Sequence, residues 1–278
     1  MICNICGQNQ WIFQRRYNEP DKYEAWVGIA APICRTWWKC ANCGFYRTRR
    51  TYDLKQLETI YSDGYRAEGF RGVTIEEVFA KIVQLPFEKS ENKYRIRWFL
   101  DRIGTSVTGN VQALSLADTK SILDIGAGLG VFLWELLAHQ QDLWEPHAVE
   151  INAHSVRFLT SLGIACYHSL EDSPHLRDVD VVACIHTLEH MEDPESFLLD
   201  TRDALKDGGK LFIEVPDAKE FSYLPPDHDE FNSCHITFFT PETLMWLVNG
   251  TGYKVTDLHM VRTNERNLSR IMLLAEKK

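Results

Sequence analysis

Residues 121–130 read Ser121-Ile-Leu-Asp-Ile-Gly-Ala-Gly-Leu-Gly130. Ser121 to Ile125 is a short apolar run of the kind that forms a buried strand. It stops at three glycines on alternate positions, Gly126, Gly128 and Gly130. Val131 to His139 then reads as a helix, with Val131, Leu133, Trp134, Leu137 and Ala138 near one face. Strand, glycine turn and helix in that order aim the N–H groups of a helix start at a ligand, with no Cβ in the way. A dinucleotide fingerprint needs its third glycine one residue later, where this chain has Val131. Asp124 puts a carboxylate at the strand end, poorly placed beside a pyrophosphate and suited to a ligand with a cationic end.

Working outward, strands and helices alternate. Pro146 to Glu150, Ile164 to Tyr167, Asp180 to Ile185 and Lys210 to Val215 read as strands. Asn152, Asp193-Pro194 and Thr240-Pro241 are helix starts, and Tyr253 to Met260 with Leu268 to Ala275 forms a closing hairpin. This pattern predicts an α/β fold with a parallel sheet covered by helices on both faces. Ligands in such sheets sit beyond the carboxyl ends of the strands. Glu150 ends the second strand, where an acid accepts hydrogen bonds from ribose hydroxyls. The fourth strand delivers His186, Glu189 and His190, and the fifth delivers Pro216 to His235. That last segment, with His228, Asp229, Glu230 and His235, reads as a substrate lid rather than a metal site.

The Asp124–Gly130 run, D-x-G-x-G-x-G, resembles the first motif of class I S-adenosylmethionine-dependent methyltransferases. His186-Thr-Leu-Glu-His190 and His235-Ile-Thr-Phe-Phe-Thr-Pro-Glu-Thr-Leu244 resemble stretches of the small-molecule branch of that family. The match spans residues 121 to about 255. It implies a Rossmann-like, seven-stranded sheet ending in an antiparallel hairpin, with S-adenosylmethionine as donor. The residues it implies at the cofactor are Asp124, Gly126, Ala127, Gly128, Gly130, Glu150, Ile151, Leu170 and His186. Transfer is an in-line displacement, so alignment dominates. A hydroxyl or carbon-acid acceptor also needs a base, and histidine suits neutral pH. His190, His186 and His235 are the candidates.

Five of the eight cysteines fall in the first 43 residues. Cys3-x-x-Cys6-Gly7 and Cys40-x-x-Cys43-Gly44 are matching knuckles, predicting a structural zinc held by Cys3, Cys6, Cys40 and Cys43. The 33 residues between the pairs exceed the usual spacing of roughly 15–20, so an inserted loop is expected. Boundaries follow: a zinc ribbon over 1–52, a helical connector with a possible flap at 61–69 over 53–117, and the methyltransferase domain over 118–278. Net charge is −9; residues 1–50 carry eight Lys/Arg against three Asp/Glu, leaving −14 on the rest. The acidic balance disfavours nucleic acid as a partner, while the basic N-terminal part keeps an RNA alternative open. No stretch spans a bilayer and no signal peptide is seen, so a cytoplasmic location is expected. A zinc module before the catalytic domain resembles sugar C-methyltransferases, implying a sugar-like small-molecule acceptor. The alternatives are an RNA methyltransferase guided by the basic module, with Arg47, Arg49 and Arg50, or a non-catalytic scaffold. The acceptor atom and oligomeric state stay open.

Overall fold

The computed structural model describes residues 2–52, 55, 73–104, 119–172, 176–262 and 268–278. The chain begins with β1 (Trp11–Tyr17), the short helix α1 (Lys22–Trp26), β2 (Arg35–Cys40) and β3 (Tyr46–Arg50). Helices α2 (Ile75–Val83) and α3 (Glu91–Arg102) follow, begun by Thr74 and Ser90, whose hydroxyls accept from first-turn N–H groups. The remainder runs β4 (Lys120–Ile125), α4 (Val131–Gln140), β5 (Trp144–Val149), α5 (Ala153–Ser161), β6 (Ala165–Tyr167) and β7 (Val179–Ile185). It continues through α6 (Pro194–Ala204), β8 (Leu205–Pro216), β9 (Thr237–Phe238), α7 (Pro241–Gly250), β10 (Tyr253–Arg262) and β11 (Ser269–Lys277).

The large sheet has seven strands in the order β10-β11-β8-β7-β4-β5-β6. The five strands from β8 to β6 are parallel, and β11 and β10 close the edge antiparallel. The alternating pattern predicts the parallel part of this α/β sheet, and its seven strands with an antiparallel edge are those the family resemblance implies. Successive side chains of a strand point to opposite faces, and each face has its own core. Leu123, Val182, Ile213 and Leu273 pack with Leu198, Leu244 and Val248 of α6 and α7. Ile122, Val181, Phe212 and Met272 pack with Ile96 and Phe99 of α3 and Phe132 and Leu136 of α4. Burying each such side chain contributes about 1.5–3 kcal/mol, so these two layers hold the strand ends in place.

Three local expectations shift. α4 buries Phe132, Leu133 and Leu136, whereas Trp134 is 40% exposed, because α3 claims the opposite side of the expected stripe. β8 starts at Leu205 instead of Lys210: Gly208 (φ 71°) makes an irregularity in the pairing with β7, and the strand runs through it. α3 starts at Glu91 because a 3-10 turn over Phe87–Lys89 precedes it. The expected helix over 53–60 and the flap over 61–69 lie outside the described residues, Lys55 excepted.

The N-terminal strands share a sheet with the rest of the chain. Its order is β1-β2-β3-β9, with Tyr46 opposite Phe238 and Arg47 opposite Thr237. The long spacer between the cysteine pairs grips the segment that leads into β9. Buried Arg35 pairs with Glu24 at 3.1 Å and donates to the Phe231 carbonyl, while Asp21 accepts from Ser233. Trp37 stacks on Phe238 with centroids 4.4 Å apart. Among the described residues no helix is long and apolar enough to cross a membrane.

Candidate active site

The glycine turn leaves β4 with Gly126, Gly128 and Gly130 all left-handed, at φ 76°, 58° and 68°. A Cβ on Gly126 would sit 2.5 Å from Thr187 Oγ1, and that hydroxyl is pinned by donating to the Ile125 carbonyl at 2.8 Å. A Cβ on Gly130 would meet Leu159 Cδ2 at 2.4 Å. Close approach and positive φ both require glycine here. Glu150, just past β5, braces the turn: its Oε2 accepts from Gly128 N at 2.7 Å and its Oε1 from Asn152 N at 2.8 Å. Ile151 is 48% exposed beside it. Ala127 and Leu170 are half-buried, each against a core cluster.

Asp124 is 2% exposed, and its Oδ1 has no hydrogen-bond partner. Burial pushes its carboxyl up to about 7, against the nearby charge of Arg95 and with help from Glu150. An unpartnered buried carboxyl under a glycine cradle fits a cofactor with a cationic amino and sulfonium end. S-adenosylmethionine would supply an electrophilic methyl when bound, and Asp124, the glycines and Glu150 are the groups that would hold it here.

Beyond the strand ends lies a chain of charges, buried except for half-exposed His186. Arg95 of α3 donates twice to Glu214 of β8, both at 2.6 Å. Glu214 Oε1 lies 3.2 Å from His186 Nε2, and His186 Nδ1 lies 3.2 Å from Glu189 Oε1. Burial opposes ionisation of Glu214, yet Arg95 holds its carboxyl well below the usual range. Burial also opposes the charge on His186; the two carboxylates win and raise it to about 9. His186 is therefore an imidazolium at neutral pH, with its backbone left-handed (φ 52°) and its N–H donating to the Glu214 carbonyl at 2.9 Å. A cavity of about 230 Å³ opens here, lined by Ser90, Tyr94, Glu214, Val261 and Arg262 among others. His190 and His235 come together with ring centroids 5.0 Å apart.

The four cysteines also converge. Sγ of Cys3 lies 3.6 Å from that of Cys43, and Sγ of Cys6 lies 3.6 Å from that of Cys40. All four lie within 4.8 Å of one another, close to the spacing a tetrahedral ion sets at about 2.3 Å from each sulfur. Gly7 and Gly44 are left-handed and close the two knuckles.

Residues 96–258 match the family model described as a methyltransferase domain. The chain belongs to this methyltransferase family. It is an S-adenosylmethionine-dependent enzyme. A curated relative from Shewanella sediminis, tRNA U34 carboxymethyltransferase, is 27% identical over 233 residues, covering 76% of this chain and 67% of the relative. The protein of that name from Shewanella sp. W3-18-1 is 28% identical, over 56% of this chain and 48% of its own length. Two solved structures share the fold at 12% identity and TM-score 0.53. One is the Haloferax volcanii Trm112 activator–methyltransferase complex, covering 73% of this chain and 92% of that one. The other is magnesium protoporphyrin IX methyltransferase from Synechocystis PCC 6803 with bound S-adenosylmethionine, covering 82% and 99%.

These relatives overturn the expectation that nucleic acid is a disfavoured partner. Net charge averages over the whole surface, whereas a nucleic acid meets one face of it. Sequence reading also passed over Thr187, which closes the turn, and the Arg95–Glu214 pair. Glu214 is a lone acid in the apolar run from Leu211 to Val215, whereas Arg95 sits between Lys93 and Arg97 on a charged helix and gives no such signal.

Proposed function

We propose that this methyltransferase acts on RNA, of the tRNA class named by its relatives, and that residues 1–52 form a zinc-binding module that presents the acceptor to the domain over 118–278. The observation that carries this reading is the outer face of the N-terminal sheet. Phe13, Trp38 and Arg47 stand opposite one another across β1, β2 and β3, and Arg16, Thr36 and Arg49 form the adjacent row. Directly opposed residues share a face. Phe13 is 49% exposed and packs edge-on against Trp38, Arg16 and Arg49 are exposed, and the Arg49 guanidinium lies 5.6 Å from the Trp38 ring. Aromatic rings interleaved with arginines on an open sheet suit stacked bases and phosphates. The opposite face, with Trp37, is buried against Phe231 and Phe238, which orients the basic face outward.

In this reading Asp124, Gly126, Ala127, Gly128, Gly130, Glu150, Ile151 and Leu170 hold the donor, His186 lines its pocket, and His190 and His235 face the acceptor. The protein aligns the nucleophile with the methyl carbon, where orientation supplies most of the acceleration. The test is binding of bulk tRNA as a function of salt. Log affinity is expected to fall linearly with log salt, and Arg16→Gln with Arg49→Gln to flatten the slope by about 0.7–0.9 for each phosphate no longer neutralised. No RNA binding at low salt, with methyl transfer to a nucleotide-sugar instead, would remove the reading.

A further inference from the structure

Glu189, His190 and His235 each present one donor atom, and the three donors lie within 4.8 Å of one another. The other atoms of these groups are already engaged. His190 Nδ1 lies 2.9 Å from the Cys234 carbonyl, and His235 Nδ1 lies 2.7 Å from the Glu230 carbonyl. A carbonyl only accepts, so both Nδ1 atoms carry hydrogen, and Nε2 is the ring nitrogen that a metal would take. Imidazoles held in this tautomer by an outer carbonyl are oriented as metal ligands are. Glu189 Oε1 faces His186 at 3.2 Å. Its Oε2 is buried, on a residue 1% exposed, and has no hydrogen-bond partner. A buried carboxylate oxygen normally has one.

We propose that Glu189, His190 and His235 bind a divalent transition-metal ion, distinct from the one expected at the four cysteines. Two imidazoles and a carboxylate suit zinc, manganese, iron and cobalt, whereas four thiolates favour zinc. An ion about 2.1 Å from each donor draws them to roughly 3–3.5 Å of one another, within reach of side-chain rotation. The backbone beneath is fixed: Ile236 N donates to the Glu189 carbonyl at 2.8 Å, and His190 N to the Thr187 carbonyl at 3.0 Å. Three protein donors leave at least one position for water or for an acceptor oxygen. Glu189 touches His186, and His186 touches Glu214, which lines the cavity. This assignment departs from the sequence expectation, in which the two histidines were candidate bases and the 216–235 segment a lid. It holds whichever acceptor the enzyme uses.

The test is titration of the full-length, zinc-loaded protein with Co²⁺ alone, after dialysis against a mild chelator. The expected result is one Co²⁺ per chain with weak visible bands and no thiolate charge-transfer band. Glu189→Gln and His235→Gln are expected to weaken that binding at least tenfold, with donor binding retained in His235→Gln. No uptake outside the thiolates, or variants that bind Co²⁺ as tightly as the wild type, overturns the assignment. If a variant does not fold, long-range ¹H–¹⁵N spectra of the wild-type imidazoles decide. Nε2 resonances of His190 and His235 that move on adding Zn²⁺ support the site; unmoved resonances refute it.

Discussion

Asp124 gives the donor site its pH behaviour. Its folded pKa of about 7 stands above the 3.8 of a free aspartate, so the folded state holds the proton more tightly than the unfolded chain. The stability from this group is therefore full below about pH 4, is lost as pH rises toward 7, and is level above it. Denaturant unfolding of cofactor-free protein should show that decline, and Asp124→Asn should abolish it. A cationic donor favours the ionised carboxylate, so calorimetry should find S-adenosylmethionine affinity rising with pH through about 7 and then levelling. Gly126 acts by shape. Its Cβ site is 2.5 Å from a hydroxyl that is itself bonded, so Gly126→Ala should weaken donor binding at least ~10-fold by calorimetry, with strain at positive φ adding to the clash.

At the scale of elements, α3 is fastened to β8 by Arg95 and Glu214, both buried. Removing Arg95 leaves buried Glu214 with His186 alone as a partner, so Arg95→Leu should cost about 3 kcal/mol in denaturant unfolding. The double variant with Glu214→Leu should recover part of that loss. Such pairs lie outside local reading because 119 residues separate the partners. Features set by neighbours in sequence were legible: the glycine turn, the Asn152, Asp193 and Thr240 caps, and the hairpin of β10 and β11. The buried stripe of α4 was misjudged because its 3.6-residue period does not say which side another helix will cover. β9, two residues long, carries no periodic signal at all.

Across the whole molecule, the cysteine knuckles and the transfer site are mechanically joined. β9 begins two residues after His235 and completes the N-terminal sheet, and Cys3, Cys40 and Phe45 share a core cluster with Phe239 and Leu244. If the four cysteines hold zinc, removing it should lower Tm, change Trp37 and Trp38 fluorescence, and abolish transfer more completely than it weakens donor binding. Differential scanning fluorimetry and calorimetry on chelated protein check this. The same join puts the basic aromatic face and the donor turn in one body, which is the arrangement an RNA acceptor would need. The most direct measurement is transfer of label from methyl-labelled S-adenosylmethionine to bulk tRNA. The wild type should label the RNA, and Phe13→Ala with Arg16→Gln and Arg49→Gln should cut the rate at least ~10-fold while binding the donor normally. Unlabelled RNA, or a triple variant as active as the wild type, would contradict the account.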